Sequence, residues 1–271
     1  MRLSTRSYDK NKRISKENIK EIGDFADQFK IGLNKEKVNF FLIEDSIYKK
    51  EKVRIGTCGA IDNSPAFIVG KIETGDLSYL SYGYLFEHII LKITDLGLST
   101  CWLGYFDSQI LCSSIQLFNN EVIPAISPVG YKKFNLFNPT FFVKDILGIK
   151  KRKSIDEIFF EGDFSFPIEF SHSNPYFIVL KMVRLAPSSG NKQPWRILKE
   201  KNRFIFHFFL DLSGYPEQYI QKKLYYLDMG IAMCHFELTA REYGLKGDWE
   251  YMSNTINLEF KHFKYIVTWI G

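Results

Sequence analysis

The sequence predicts a mixed helix-and-strand chain made of two copies of one folding unit. Two observations predict it. Apolar residues fall at three- and four-residue spacing in some stretches and in short continuous runs in others, the marks of amphipathic helices and buried strands. Around the longest helical stretch, Gly83, His88, Leu91, Gly97, Leu98 and Trp102 reappear as Gly230, His235, Leu238, Gly244, Leu245 and Trp249, each pair 147 residues apart. Chance supplies one or two such matches; six in one register mark an internal repeat.

The elements follow in order. A first helix is predicted from about Ser15 to Phe29, with Ser15 as its cap and Ile19, Ile22, Phe25, Ala26 and Phe29 on one face. The apolar runs Val38 to Ile43 and Ala66 to Val69 read as strands. A long amphipathic helix runs from about Tyr79 to Leu96 and stops at Gly97, which stands where a C-cap glycine belongs. Its second copy lies around Gly230 to Gly244. Ala125 to Tyr131 and Ile266 to Gly271 are alike, and each reads as a strand closing a unit. Asn174 and Pro175 open a helix that reaches about Leu185. The halves meet between Gly162 and Pro175, which gives a first half of residues 1–165 and a second of residues 166–271.

Composition narrows the function classes. A chain of 271 residues, 45% apolar and 16% aromatic, can bury a substantial core and is not disordered. The formal charge of +5 comes from Lys and Arg spread along the whole length, which reads first as a solvated surface. It also suits an anionic ligand. No nucleic-acid module is recognisable, and the basic runs are short. Cys58, Cys101, Cys112 and Cys234 form no C-x-x-C pair and match no zinc spacing, so they read as reduced, mostly buried thiols. No apolar run approaches the ~20 residues that span a bilayer, and Met1 to Arg6 has no signal-peptide stretch. A cytoplasmic protein with no membrane or nucleic-acid partner is expected.

Four strings carry chemistry, and their uneven distribution between the halves is the main functional clue. Arg2, Ser4, Arg6 and Tyr8 alternate, so in an extended segment they project to one side and the guanidinium groups could clamp a phosphate. Leu96 to Gly104 has glycines near both ends of a short strand-like run, which lets backbone approach a flat ligand. Lys150 to Lys153 is a basic run before Ser154, and by itself is a solvated face. Ala186 to Trp195 is the most specific string. Pro187 stops the preceding helix, and Ser188, Ser189 and Asn191 present short donors and acceptors from a tight turn that Gly190 frees. The first half contains no string like it.

Together these strings resemble the nitroreductase family of flavoproteins. The match rests on Arg2-x-Ser4-x-Arg6-x-Tyr8, Glu87 to Gly104, Pro124 to Tyr131, Arg152 to Glu157, and Ala186 to Trp195. In most of that family the Pro-Ser-Ser-x-Asn loop lies early in the chain; here it falls in the second half. Ordinary members are homodimers with two flavin sites, so the chain is similar to such a dimer fused into one, as in a single-chain subgroup of putative TM nitroreductases. The resemblance implies an α+β fold: antiparallel central sheets flanked by helices, in two pseudo-two-fold-related halves, working as a monomer. It implies one FMN, with NADH or NADPH as reductant and a flat small-molecule acceptor such as a nitroaromatic or quinone. No G-x-G-x-x-G follows a strand, which favours FMN over FAD. By position, Arg2, Ser4 and Arg6 hold the flavin phosphate, and Lys150 and Arg152 close over it. Ser188, Ser189 and Asn191 face the ring and Pro187 packs on it, while Leu103 and Gly104 lie beside flavin N5. The flavin carries the chemistry, so no catalytic side chain is assigned. A non-catalytic flavin carrier or sensor, and a scaffold that has lost the flavin, are compatible with the same strings.

Overall fold

Ser15 begins the first helix as its sequence suggests: its backbone is extended and its Oγ accepts the Asn18 N–H at 3.1 Å. In the computed structural model, the residues described are 2–44, 61–106, 115–133, 151–213, 222–252 and 262–271. Cys58, Cys112 and Lys150 fall outside them. The chain divides into two units, Met1–Pro139 and Thr140–Gly271.

In the first unit α1 (Lys16–Ala26) buries Ile22 and Ala26 and ends before Phe29. Strand β1 (Val38–Glu44) pairs antiparallel with β2 (Ala66–Glu73), Val38 opposite Ile72 and Glu44 opposite Ala66. Helix α2 (Asp76–Asp95) then packs on β2, and three short strands follow: β3 (Ser99–Thr100), β4 (Glu121–Val122) and β5 (Ile126–Gly130). The sheet order is β1-β2-β5-β3, with β4 also paired to β2, and every pairing is antiparallel. Gly70 faces Phe40 across the sheet, and a Cβ there would lie 2.5 Å from the Phe40 ring and 2.6 Å from Tyr82. Its absence lets Phe40 settle on the strand and meet Tyr82 and Phe86 at ring separations of 5.5 and 5.7 Å.

The second unit holds β6 (Phe159–Glu161), β7 (Asp163–Pro167), α3 (Phe177–Leu185), β8 (Trp195–Lys199), β9 (Ile205–Asp211), α4 (Lys222–Glu242), β10 (Asp248–Glu250) and β11 (Phe263–Ile270). Its sheet runs β10-β11-β9-β8-β6-β7. Asn174 does open α3, but by a preceding turn: its Oδ1 accepts the Tyr176 N–H at 2.9 Å and the helix starts at Phe177. A cluster of rings fills the core. Phe236 of α4 lies between Phe206 and Phe208 of β9 at 5.2 and 5.4 Å, and Trp269 stands 5.4 Å away.

The repeat read from six residues is a repeat of topology. With β4, β6 and β7 left out, each unit runs helix, strand, strand, long helix, strand, strand. Setting aside β4, β6 and β7, each sheet is ordered first, second, last, third. Both long helices stop in the same way. Gly97 and Gly244 take left-handed φ of 76° and 70°, and the next N–H reaches back to the helix, Leu98 to Ile93 O at 3.2 Å and Leu245 to Ala240 O at 2.9 Å. The expected seam near residue 165 falls elsewhere. Residues 151–167 belong to the second unit, because β6 pairs parallel with β8, Phe159 opposite Ile197. The α+β class with antiparallel-rich sheets stands; among the strands named here β6–β8 is the parallel pair.

Candidate functional site

The N-terminal segment is extended but changes partner along its length. Ser4 bridges Thr100 in parallel, Ser7 bridges Asp62, and Tyr8 bridges Lys132. This switching breaks the expected alternation. Ser4 and Arg6 are exposed, whereas Tyr8 is fully buried with its hydroxyl on the Thr5 carbonyl at 2.8 Å. Tyr8 is therefore a core residue; burial pushes its phenol well above the usual range. Arg2 turns inward. Its side chain is only 10% exposed, its Nε stands 3.9 Å from Glu87 Oε1, and its Nη1 is buried without a hydrogen-bond partner among the described residues. Thr100 Oγ1, on the strand that Ser4 bridges, is another such buried atom. Unpaired buried donors are costly, so this corner has hydrogen-bonding capacity that an anion can take up.

Leu103 and Gly104 follow β3. The Leu103 N–H donates to Ile126 O at 2.9 Å, and the Leu103 carbonyl accepts the Ile126 N–H at 3.0 Å. Leu103 is thus held in the sheet, with its own N–H engaged by Ile126 O. Between them and Arg2 stands a buried acid missed at the sequence level: Glu87 of α2, whose Oε2 accepts the Trp102 indole N–H at 2.6 Å.

In the second unit the loop after α3 is built from left-handed residues. Gly190, Asn191 and Gln193 have φ of 58°, 57° and 49°. Ser188 Oγ accepts the Gln193 N–H at 2.9 Å. The Gln193 side chain spans two segments, donating to Asn191 O at 3.0 Å and accepting the Lys153 N–H at 3.0 Å. The Asn191 amide donates to Lys151 O at 3.0 Å. The Ser189 N–H donates to both oxygens of Asp228, at 2.9 and 3.1 Å. Burial pushes the Asp228 carboxyl well up, and the Ser189 N–H pulls it partly back.

Arg152 makes two bonds to the backbone of the second unit. Its two terminal nitrogens donate to Ala186 O at 2.7 Å and Leu185 O at 2.9 Å, the open carbonyls at the end of α3. It therefore ties the 151–154 segment to the base of the loop. Arg184 reinforces the tie through Lys153 O at 2.7 Å. Burial lowers the Lys153 ammonium pKa, and the nearby Arg196 charge lowers it further. Gln193 and Asp228 were legible only indirectly: Gln193 as part of the Ala186–Trp195 string, Asp228 as a lone acid in the apolar run Leu224–Cys234. Among the described residues, no group of His, Cys, Asp and Glu could hold a metal ion, and no helix is long and apolar enough to cross a membrane.

Two units of this topology define a nitroreductase fold. A crystal structure described as a putative nitroreductase from Thermotoga maritima is similar over 99% of this chain and 89% of its own, with 19% identity and a TM-score of 0.60. The chain belongs to the family described as Putative TM nitroreductase, whose model matches residues 1–240. Two further structures are similar over shorter stretches. A nitroreductase family protein from Clostridium novyi is 23% identical over 49% of this chain and 81% of its own, TM-score 0.41. A nitroreductase with bound FMN from Bacteroides fragilis is 16% identical over 51% of this chain and 91% of its own, TM-score 0.39. No curated protein matches.

Proposed function

We propose that the chain is an FMN-dependent NAD(P)H oxidoreductase that delivers hydride to flat oxidised acceptors such as nitroaromatics and quinones. The family match over residues 1–240 carries this reading. The fit of the residues supports it. Arg2 brings a buried guanidinium nitrogen without a hydrogen-bond partner among the described residues, and Ser4 and Arg6 stand exposed on the same segment, a donor set suited to one terminal phosphate. Ser188, Ser189 and Asn191 form a braced polar loop suited to the edge of a heterocycle, with Pro187 as its apolar neighbour. The Gly104 N–H is the donor assigned to N5.

FMN, if bound, would supply the hydride-transfer chemistry. The chain's own residues would bind and orient it: Arg2, Ser4 and Arg6 at the phosphate, and Ser188, Ser189 and Asn191 at the ring edge. No side chain need act as nucleophile or base. Each residue set occurs once in the sequence, so the proposal calls for one FMN per chain in a protein able to work as a monomer.

Heat release of the ligand, chromatography and titration against protein concentration test the cofactor. Recovery of FAD, of two flavins per chain, or of none after loading with FMN defeats the reading. Anaerobic addition of NADH and NADPH, each alone, tests turnover. Bleaching of the flavin spectrum is expected; a flavin that neither nucleotide bleaches makes the protein a carrier or sensor instead.

A further inference from the structure

We infer that Asp228 is a positioning residue that holds the 188–193 loop in its ring-binding form; the inference rests on the flavin reading above. Asp228 lies on α4 among buried residues, Leu227, Met229 and Ile231 beside it in sequence, and is 3% exposed. Both its oxygens meet one donor, the Ser189 N–H. That donor sits at the start of a run in which Gly190, Asn191 and Gln193 are all left-handed. Gly and Asn adopt such a backbone readily, whereas Gln193 holds it only where its surroundings over-determine it. Two braces are local, Ser188 to Gln193 and Gln193 to Asn191, and two more tie the loop to the 151–153 segment, Asn191 to Lys151 and Lys153 to Gln193. The bond to Asp228 ties the loop to the long core helix.

The first unit shows the same device with a hydroxyl. Residue 81 lies 147 positions before residue 228, the interval of the repeat, and is a fully buried serine. Ser81 Oγ accepts the Leu33 N–H at 3.1 Å, and Leu33 belongs to the turn between α1 and β1, which contains left-handed Lys35. Both units thus pin the turn after their first helix to one position of their long helix. At this helix position the first unit has a hydroxyl, which also donates to the turn's own Glu36 carboxylate at 3.0 Å, and the unit that carries the Pro-Ser-Ser-Gly-Asn string has a carboxyl group. A carboxyl group offers two oxygens where a hydroxyl offers one, and both meet the Ser189 N–H. The two-oxygen pin goes with the loop in which three of residues 190–193 are left-handed.

Backbone hydrogen exchange without flavin, read on peptides spanning residues 188–193, tests the inference directly, and FMN affinity by fluorescence tests its consequence. In Asp228→Ala, loop exchange should rise about tenfold or more while α4 and β9 stay protected, and the FMN Kd should rise about tenfold. Asp228→Asn keeps one acceptor oxygen and should fall between Ala and the parent. Ser81→Ala should leave loop exchange and FMN affinity unchanged. Unchanged loop exchange in Asp228→Ala overturns the inference, as does exchange that rises equally across the second unit, since Asp228 would then only fill the core. Should Asp228→Ala not fold, Asp228→Asn decides by the same peptides. If the parent binds no FMN, the flavin reading fails, while the exchange result still decides whether Asp228 holds the loop.

Discussion

The Trp102 indole N–H donates to Glu87 Oε2 at 2.6 Å, joining the segment that carries Leu103 and Gly104 to a fully buried acid of α2. The second unit contains a counterpart: Trp249 donates to Glu237 Oε2 at 2.7 Å. The surroundings of the two acids differ. Glu237 also accepts from Arg241 Nε at 2.7 Å, whereas Arg2 Nε stands 3.9 Å from Glu87.

The shared bond predicts a cost for removing either indole donor. Trp102→Phe and Trp249→Phe each take one donor from a buried carboxylate, Glu87 at 0% and Glu237 at 9% exposure. Losing a donor to a buried acceptor costs roughly 1–3 kcal/mol. Urea unfolding should show each variant destabilised by about that much; no loss in either would mean that the indole N–H bond adds nothing beyond ring burial.

Asn191 allows side chain and backbone to be separated. Its φ is 57°, which Gly and Asn tolerate and Ala does not, and its amide bonds to Lys151 O. Asn191→Gly keeps the backbone shape and removes the side chain; Asn191→Ala removes both. If the side chain meets flavin, both variants should weaken FMN binding, by up to about tenfold for one lost hydrogen bond. If Asn191 only shapes the turn, Asn191→Gly should bind FMN like the parent and Asn191→Ala should lower the melting temperature with or without FMN.

Much of this was legible in the sequence for identifiable reasons. Ser15, Gly97 and Gly244 act through local backbone chemistry, so their helix ends followed from residue type, and the 147-residue interval revealed the repeat because long helices keep their register. The seam was not legible. It depends on the parallel pairing of Phe159 with Ile197, a contact between segments whose sequences carry no mark of it. The fate of Tyr8 was lost for a related reason: alternation predicts sidedness only along one continuous strand, and this segment changes partner between Ser4 and Ser7. The bonds of Arg152 to Leu185 O and Ala186 O were not legible either, because a sequence cannot show that two helix-end carbonyls lie within its reach.

His207 gives the fold a pH dependence. It is 4% exposed, its Nδ1 lies 2.8 Å from Thr268 Oγ1 and its Nε2 3.3 Å from Glu200 Oε1. Burial lowers its pKa below the usual 6.5, and the Glu200 carboxylate opposes the shift only in part. A histidine with a depressed folded pKa binds protons more readily in the unfolded chain. Its contribution is therefore fully present above pH 6.5 and is lost as pH falls through the folded value. Unfolding free energy should decline below that pH, by at most about 1.4 kcal/mol per pH unit from this group. His207→Gln should flatten that part of the profile; an unchanged slope would assign it to other groups.

Arg2 carries the most direct test of the phosphate assignment. Its Nη1 is buried without a partner among the described residues, and a guanidinium held in that way costs stability until an anion arrives. Arg2→Met keeps much of the apolar stem and removes the charge. Without flavin the variant should melt within a few degrees of the parent, because the lost 3.9 Å pairing with Glu87 is offset by the removal of the unpaired donor. With FMN the two should separate. A hydrogen bond to a charged group contributes about 1.5–3 kcal/mol, so Arg2→Met should weaken FMN roughly ten- to a hundredfold. The rise in melting temperature on adding FMN should shrink accordingly, since that rise tracks the ratio of free ligand to Kd. Riboflavin, which lacks the phosphate, is the control: parent and variant should bind it alike. An equal loss for riboflavin and FMN would show that Arg2 acts on the ring or on the fold, and the phosphate assignment would fall.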